Sequence, residues 1–216
     1  MARREPLNRE KILDAALELA AEEGLEGLSM RRLAKTLGVE AMSLYNHVSN
    51  KADILNGLAE RAFGQVELPD PALPWQQRLR ALALSMYEVF GRSPVVPIAL
   101  MTDQANPTSA QALAPLDSAV GALYEAGFDD AGAWRALGAV NGLIFGSLLM
   151  STGGFSGDLG EHAGRQQVGV YIREIDPAQL PHFSRLLRNI PRTGPAKDFE
   201  LALDMLISGL EQSIPF

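Results

Sequence analysis

Apolar side chains recur at helical spacing from the start of the chain. Ile12, Leu13, Ala16, Leu17 and Ala20 share one face behind Asn8, whose side chain can cap a helix start, and Gly24 is placed to end the run. Ser29 can cap a second helix carrying Leu33, Ala34 and Leu37 and stopping at Gly38, a residue that readily takes the left-handed conformation. A third short segment over residues 41–48 sets Leu44 and Val48 on one side and leaves Ser43, Tyr45, Asn46 and His47 for the others. Asn50, with Asp53 three positions on, resembles a capping arrangement for a fourth helix bearing Ile54, Leu55, Leu58, Ala59 and Phe63.

Three prolines in residues 67–75, ELPDPALPW, divide the chain into units 1–66 and 67–216. Beyond them the pattern predicts helices over 76–91, 108–126, about 130–152, 180–189 and 196–212. Pro94 and Pro97 break a short apolar piece, a glycine-rich loop spans 153–164, and a short segment covers 168–174. No alternating strand pattern of useful length and no internal repeat occurs, so the fold class is all-α: a small N-terminal helical unit and a larger helical one.

Composition supports a folded globular chain: of 216 residues, 47% are hydrophobic and 21% charged. The absence of cysteine removes disulfides, thiolate metal sites and cysteine nucleophiles. The first helix is interrupted by Asp14, Glu18, Glu22 and Glu23, which is not a signal peptide, so a soluble, cytoplasmic protein is expected. Charge is unevenly placed. The formal net charge is −7, yet Arg31, Arg32, Lys35 and Lys51 face one acid, Glu40, between Ser29 and Lys51; that segment carries +3 and the other 193 residues −10. One short segment can meet phosphate while the rest of the surface repels it.

Two short helices joined by a glycine turn, the second presenting polar groups away from its apolar anchors, form a helix-turn-helix. Ala34, four residues before Gly38, permits a close helix approach. Ala41, Met42, Ser43, Asn46 and His47 would then face a major groove, while Tyr45, Lys51 and helix N-termini could hold phosphates. Such helical pairs also occur as plain core.

The residues GLEGLSMRRLAKTLGVEAMSLYNHVSNKADIL closely resemble the DNA-binding segment of the TetR family of bacterial repressors, in which a helix ending LAxxLGV is followed by LYxHVxNKxxLL. The resemblance covers roughly residues 8–65. It implies that Arg31, with Arg32 beside it, meets a base edge or phosphate from the second helix. It places Ala41, Met42 and Asn46 at base-facing positions, and Ser43, Tyr45, His47 and Lys51 on the DNA backbone. Ala41-Met42 stands where some members carry amides or other hydrogen-bonding side chains, which implies fewer direct base contacts and apolar contact with thymine methyls.

The second half also looks like the regulatory domain of the tetracycline-repressor branch, an all-helical unit that holds a small effector and dimerises through its later long helices. From Ala136 to Gly157 no charge occurs over 22 positions, more than one buried helix face requires. Such a run is long enough to span a membrane, but Asn141, Ser147, Ser151 and Thr152 interrupt it, no basic cluster flanks it, and a buried helix is the expectation. Gly138, Gly142 and Gly146 make a smooth stripe, on which the final helix, with Leu203, Leu206 and Leu210, could pack in a four-helix dimer interface. The pocket is assigned to Met86, Phe90, Leu100, Met101 and Gln104 together with Leu116, Val120, Asn141, Phe145 and Leu149, mostly apolar with a few amides. Tetracycline-binding members hold a magnesium chelate with a His and a Glu; Ile98-Ala99-Leu100 and Met150 stand at the matching positions here, which implies an apolar or aromatic effector instead.

No cofactor or metal site and no catalysis are expected. His47, His162 and His182 are well separated, neither HExxH nor a nucleophile elbow occurs, and GGFSGDLG lacks the lysine of a phosphate loop. The expected partners are operator DNA, a small-molecule effector and a second copy of the chain, with no membrane. An activator of the same fold, or a helical protein-interaction module that binds no operator, remains the alternative.

Overall fold

The computed structural model describes residues 6–152, 176–189 and 193–214. The expected glycine-rich loop 153–164, the segment 168–174 and His162 lie outside the described residues. All regular structure among the described residues is helical, as the pattern predicts.

Helix α1 spans Arg9–Gly27, with the Asn8 side chain accepting from the Lys11 amide at 2.9 Å. Gly24 turns the backbone out of helical conformation, φ 72°, but one further turn follows; the expected end is a kink. Helix α2 is Met30–Leu37 and α3 is Ala41–Leu44, shorter than the segment expected over 41–48, with a turn carrying the chain to Val48. Helix α4 is Lys51–Phe63 and α5 is Trp75–Gly91; the proline-rich stretch between them is not helical.

Pro94 and Pro97, expected to break structure, instead flank the start of α6, Val95–Met101. The first turn of a helix has no acceptor for its amides, so a proline there loses nothing. Helix α7 is Ala110–Glu125, and Gly127, φ 97°, reverses the chain into α8, Asp130–Thr152. The start of α8 is capped by Asp129, which accepts from the Gly132 amide at 2.7 Å. Helices α9, Pro181–Arg188, and α10, Pro195–Gln212, complete the order.

Helices α1 and α2 pack together and carry α3; α1 and α4 in turn pack on α6, and α4 on α5 and α7. In the larger half α5, α7 and α8 pack on one another, and α10 packs on α5 and α8. Phe63 of α4 meets Phe90 of α5 edge to face at 5.1 Å, and Phe90 stacks on Phe145 of α8 at 5.7 Å. Burial is therefore continuous from the first unit into the second. Tyr87 stacks on Phe199 at 4.1 Å, and Arg80 ion-pairs with Asp204 at 2.7 Å, fastening α10 to α5. The Asp204 carboxylate raises the Arg80 pKa by hydrogen bonding to its guanidinium. Helix α8 is long and apolar enough to cross a membrane by length and composition, with mean hydropathy 1.3 over Asp130–Met150.

Candidate nucleic-acid interface

The turn between α2 and α3 is fixed locally. Ser29 accepts from the Arg32 amide at the start of α2, and Gly38 ends the helix in the left-handed region, φ 63° and ψ 41°. The amides of Gly38 and Val39 return to the carbonyls of Lys35 and Ala34 at 3.1 and 3.0 Å, satisfying groups that a helix end leaves open. Ala34 is buried at the crossing, and Leu44 and Val48 are buried beneath α3. Burying Leu44 contributes about 2 kcal/mol and fixes how deep α3 sits.

These anchors turn the remaining side chains of α3 and of the turn after it outward. Met42 is 74% exposed, Tyr45, Asn46 and His47 are exposed, and Ala41 and Ser43 are half-buried at the edge of the same surface. The exposed groups offer a thioether, a phenol, an amide and an imidazole, which suits apolar and hydrogen-bonded contact with base edges. Arg31 is exposed nearby, whereas Arg32 ion-pairs with Glu23. Lys51, expected to hold phosphate, is instead half-buried: its ammonium donates to the Leu25 carbonyl at 2.6 Å. The kink at Gly24 brings that last turn of α1 beneath the start of α4, and Lys51 closes the gap.

Around the next turn, Asn50 accepts from the Asp53 amide at 2.9 Å, and the Asp53 carboxylate accepts from the Ser49 amide at 2.7 Å. The other Asp53 oxygen pairs with Arg9 at 2.7 Å. The Arg9 hydrogen bond, aided by the Ser49 amide, holds the Asp53 carboxyl below its ordinary pKa despite partial burial. The same pair raises that of Arg9. The capping role of Asn50 and Asp53 was visible in their spacing; Arg9 was missed because its partner lies 44 residues away.

The residues assigned to an effector pocket lie on four helices and the turn after α6, and within the set Phe90 stacks on Phe145. Met86 and Phe90 of α5 are buried, and Leu116 and Val120 of α7, Asn141, Phe145 and Leu149 of α8 and Leu100 of α6 are half-buried. Met101 lies largely exposed, and Gln104 donates to the Thr102 hydroxyl at 2.9 Å. A cleft of about 400 Å³ lies elsewhere, between α1, α4 and the start of α7, lined by Arg9, Glu10, Glu60, Arg61, Gln65 and Gln111. Arg61 there pairs with Glu10 and Asp14 at 2.7 and 2.6 Å.

The dimer assignment requires a correction on α10. Leu203 is fully buried within the chain, between Phe199 and Ile207 on the inward face, while Leu206 and Leu210 lie half-buried at its edge. The outward apolar positions are Leu201 and Met205, the latter 77% exposed. On α8, Gly138 and Gly142 are exposed, and a Cβ built at Gly138, Gly142 or Gly146 would touch nothing among the described residues. The glycine stripe therefore does not receive α10 of its own chain, although the two helices pack along another side. Trp134, 77% exposed, begins the same open face.

Residues 12–58 match the family model described as bacterial regulatory proteins, tetR family, and residues 68–214 that described as tetracyclin repressor-like, C-terminal domain. The chain is similar to the class D tetracycline repressor protein of Escherichia coli, 45% identical over 82 residues; the match spans only 37% of this chain and 38% of that relative's length. Similarity to the class C tetracycline repressor protein of Escherichia coli is 30% over 210 residues, 95% of this chain and 91% of the relative. The solved structure of ActR of Streptomyces coelicolor in complex with actinorhodin matches with a TM-score of 0.79 at 23% identity, covering 98% of this chain and 100% of the other, which is likeness of fold.

Proposed function

The chain belongs to the TetR family of bacterial regulatory proteins, and from that membership we propose that it is a ligand-responsive transcriptional regulator, a repressor released from its operator by a small effector. The observation that carries the reading is the outward face of α3. Met42 on α3 and Tyr45, Asn46 and His47 on the turn after it stand exposed over the anchors Leu44 and Val48, in a segment, Ser29 to Lys51, that carries +3. Arg31 joins that surface as a base or phosphate contact. Ala41, Ser43 and Arg32 support it at the edges, and Lys51 acts as a tether with two further N–H groups left for phosphate.

Division of labour follows the boundary at residues 66 and 67. The first unit reads DNA; the second binds effector and partner in the cytoplasm. The open face of α8 and α10, with Trp134, Gly138, Gly142 and Met205, supports a homodimer in which these two helices meet their symmetry mates. A dimer sets two recognition helices in successive major grooves, about 34 to 36 Å apart for adjacent half-sites. An effector lodged among Phe90, Asn141, Phe145 and Leu149 weakens DNA binding by favouring a conformer of different spacing. The ring contacts from Phe145 through Phe90 to Phe63 connect that site to α4.

The relatives named as tetracycline repressors supply the comparison for the effector. With Ile98, Ala99, Leu100 and Met150 at the positions matched to the chelating His and Glu, an apolar or aromatic molecule fits better than a magnesium chelate. The test is fluorescence anisotropy of the purified protein against DNA flanking its own gene and a random-sequence selection, with competitor DNA and a salt series. Competitor-resistant binding whose log affinity falls linearly with log salt is expected. A protein that selects no sequence sinks the reading and leaves an interaction module in its place.

A further inference from the structure

A recognition helix of four residues has little of its own to hold its direction. Leu44 and Val48 fix the depth of α3, but two anchors leave it free to rotate about the line joining them, and its N-cap, Glu40, makes no side-chain capping bond. A third point of support comes from the first residue of α1. The Arg9 guanidinium reaches across α4 and divides its donors. Nη1 donates to the His47 carbonyl at 3.3 Å; Nη2 donates to the Asp53 carboxylate at 2.7 Å and to the Asp53 carbonyl at 3.3 Å. The second Asp53 oxygen receives the Ser49 amide at 2.7 Å. One ion pair thus grips the chain on both sides of Val48, at the end of the DNA-facing turn.

The route of Arg9 explains a glycine as well. Gly57 lies buried in the middle of α4, where glycine costs about 1 kcal/mol relative to alanine, and no positive φ requires it. A Cβ there would lie 3.0 Å from Arg9 Nη2 and 3.0 Å from Leu13 Cδ2. The missing side chain is the passage through which α1 and its arginine approach α4.

We infer that Arg9 and Asp53 are positioning residues for operator recognition: together they set the orientation of α3 through the His47 carbonyl and the Ser49 amide, and neither acts as a DNA contact. The inference rests on the operator-binding reading. Arg9 is suited to the task because its fork can serve the backbone carbonyl and the carboxylate at once, which a lysine cannot.

The full-length protein and its Arg9→Gln, Arg9→Lys, Asp53→Asn and doubly substituted R9Q/D53N forms are titrated against the selected operator and against competitor DNA. Binding is read at several salt concentrations, well below each variant's Tm. Arg9→Gln is expected to lose about tenfold in operator affinity, as the loss of a charge-assisted contact can produce, and Arg9→Lys most of that. Asp53→Asn carries the sharpest sign. It removes a negative charge, so electrostatics alone predicts tighter DNA binding, whereas loss of positioning predicts about tenfold weaker specific binding. The double variant is expected to lose no more than either single one, since both act through one contact.

A lysine variant with full affinity, together with an Arg9→Gln salt slope reduced by about 0.9, would make Arg9 a phosphate contact and overturn the inference. So would variants of lowered Tm but unchanged operator affinity, which would make the pair a stabilising contact only. A wild-type protein that binds no operator removes the reading beneath the inference; a binding wild type with unaffected variants overturns the inference alone.

Discussion

The recognition unit and the α8–α10 face use the same residue, glycine, for opposite reasons. Gly38 occupies a left-handed turn that a side chain strains, and its own amide and that of Val39 close the end of α2. Gly142 is ordinary helix with open space beside it, and nothing among the described residues asks for its smallness. The first unit is specified from within, by caps and a turn that act over three to five residues. The α8–α10 face finds no such reason among the described residues, and in the proposed homodimer a second copy of the chain supplies it. A position required by its own backbone and one required by a partner differ in what breaks when they are changed.

The largest effect is expected where the two regions join. Phe90 is fully buried and touches Phe63 on one side and Phe145 on the other. Phe90→Ala should cost about 3–5 kcal/mol, measured by urea unfolding, because the ring's contacts vanish and the surrounding helices close the cavity only partly. Both regions should lose stability in one transition. A recognition unit that keeps its wild-type midpoint in a probe placed near Tyr45 would separate regions that the continuous core joins.

Gly142→Leu tests the face directly. Leucine favours the helix by most of the roughly 1 kcal/mol that glycine costs, and the described residues offer no clash, so the isolated protomer should be as stable as before or more so. Self-association, measured by sedimentation over a dilution series, should weaken about a hundredfold, since a helix seam built around glycine cannot admit a branched side chain without separating. An unchanged dimer would move the interface away from the glycine stripe.

How much of this was legible in the sequence divides along the same line. Asn8, Ser29 and Asn50 announced the starts of α1, α2 and α4, and Gly38 the end of α2, because capping chemistry acts through the nearest amides. The outward set on α3 followed from where Leu44 and Val48 had to point. Arg9 and Lys51 were not legible in this way: one reaches 44 residues along the chain and the other 26, and neither distance leaves a local pattern. On α10 the periodicity marked an apolar face but not its partner, so Leu203 was assigned to another chain when it lies buried in its own, on the same face as Phe199 and Ile207. Pro94 and Pro97 show a related limit, since a proline that ends one helix can equally begin the next.

Gly38→Ala asks a smaller question of the recognition unit. At φ 63° an alanine should cost about 1–2 kcal/mol in unfolding free energy, and circular dichroism should show the helices retained. Operator affinity should fall with it, because the turn sets the angle between α2 and α3. The contrast with Gly142 is the point: one substitution should weaken the monomer and the other only the dimer. Equal effects on monomer stability would erase the distinction between the two glycines.

The smallest effect is the acid dependence of the Arg9–Asp53 pair. The folded protein holds the Asp53 carboxyl below its unfolded value, chiefly through the Arg9 hydrogen bond. The sign follows by linkage: the folded state binds this proton less readily than the unfolded state, so the contribution is fully present above the unfolded value, near pH 4, and is lost as the pH falls through the lowered one. Both side chains are partly exposed, so the contribution is modest and screened by salt. Asp53→Asn should therefore lower the urea midpoint by a constant amount from pH 7 down to about pH 5, and the difference from wild type should shrink below about pH 4. Were the difference to persist undiminished at pH 2.5, the carboxylate charge would not be its source, and the uncharged hydrogen bonds around Ser49 and Asn50 would hold the end of the recognition helix by themselves.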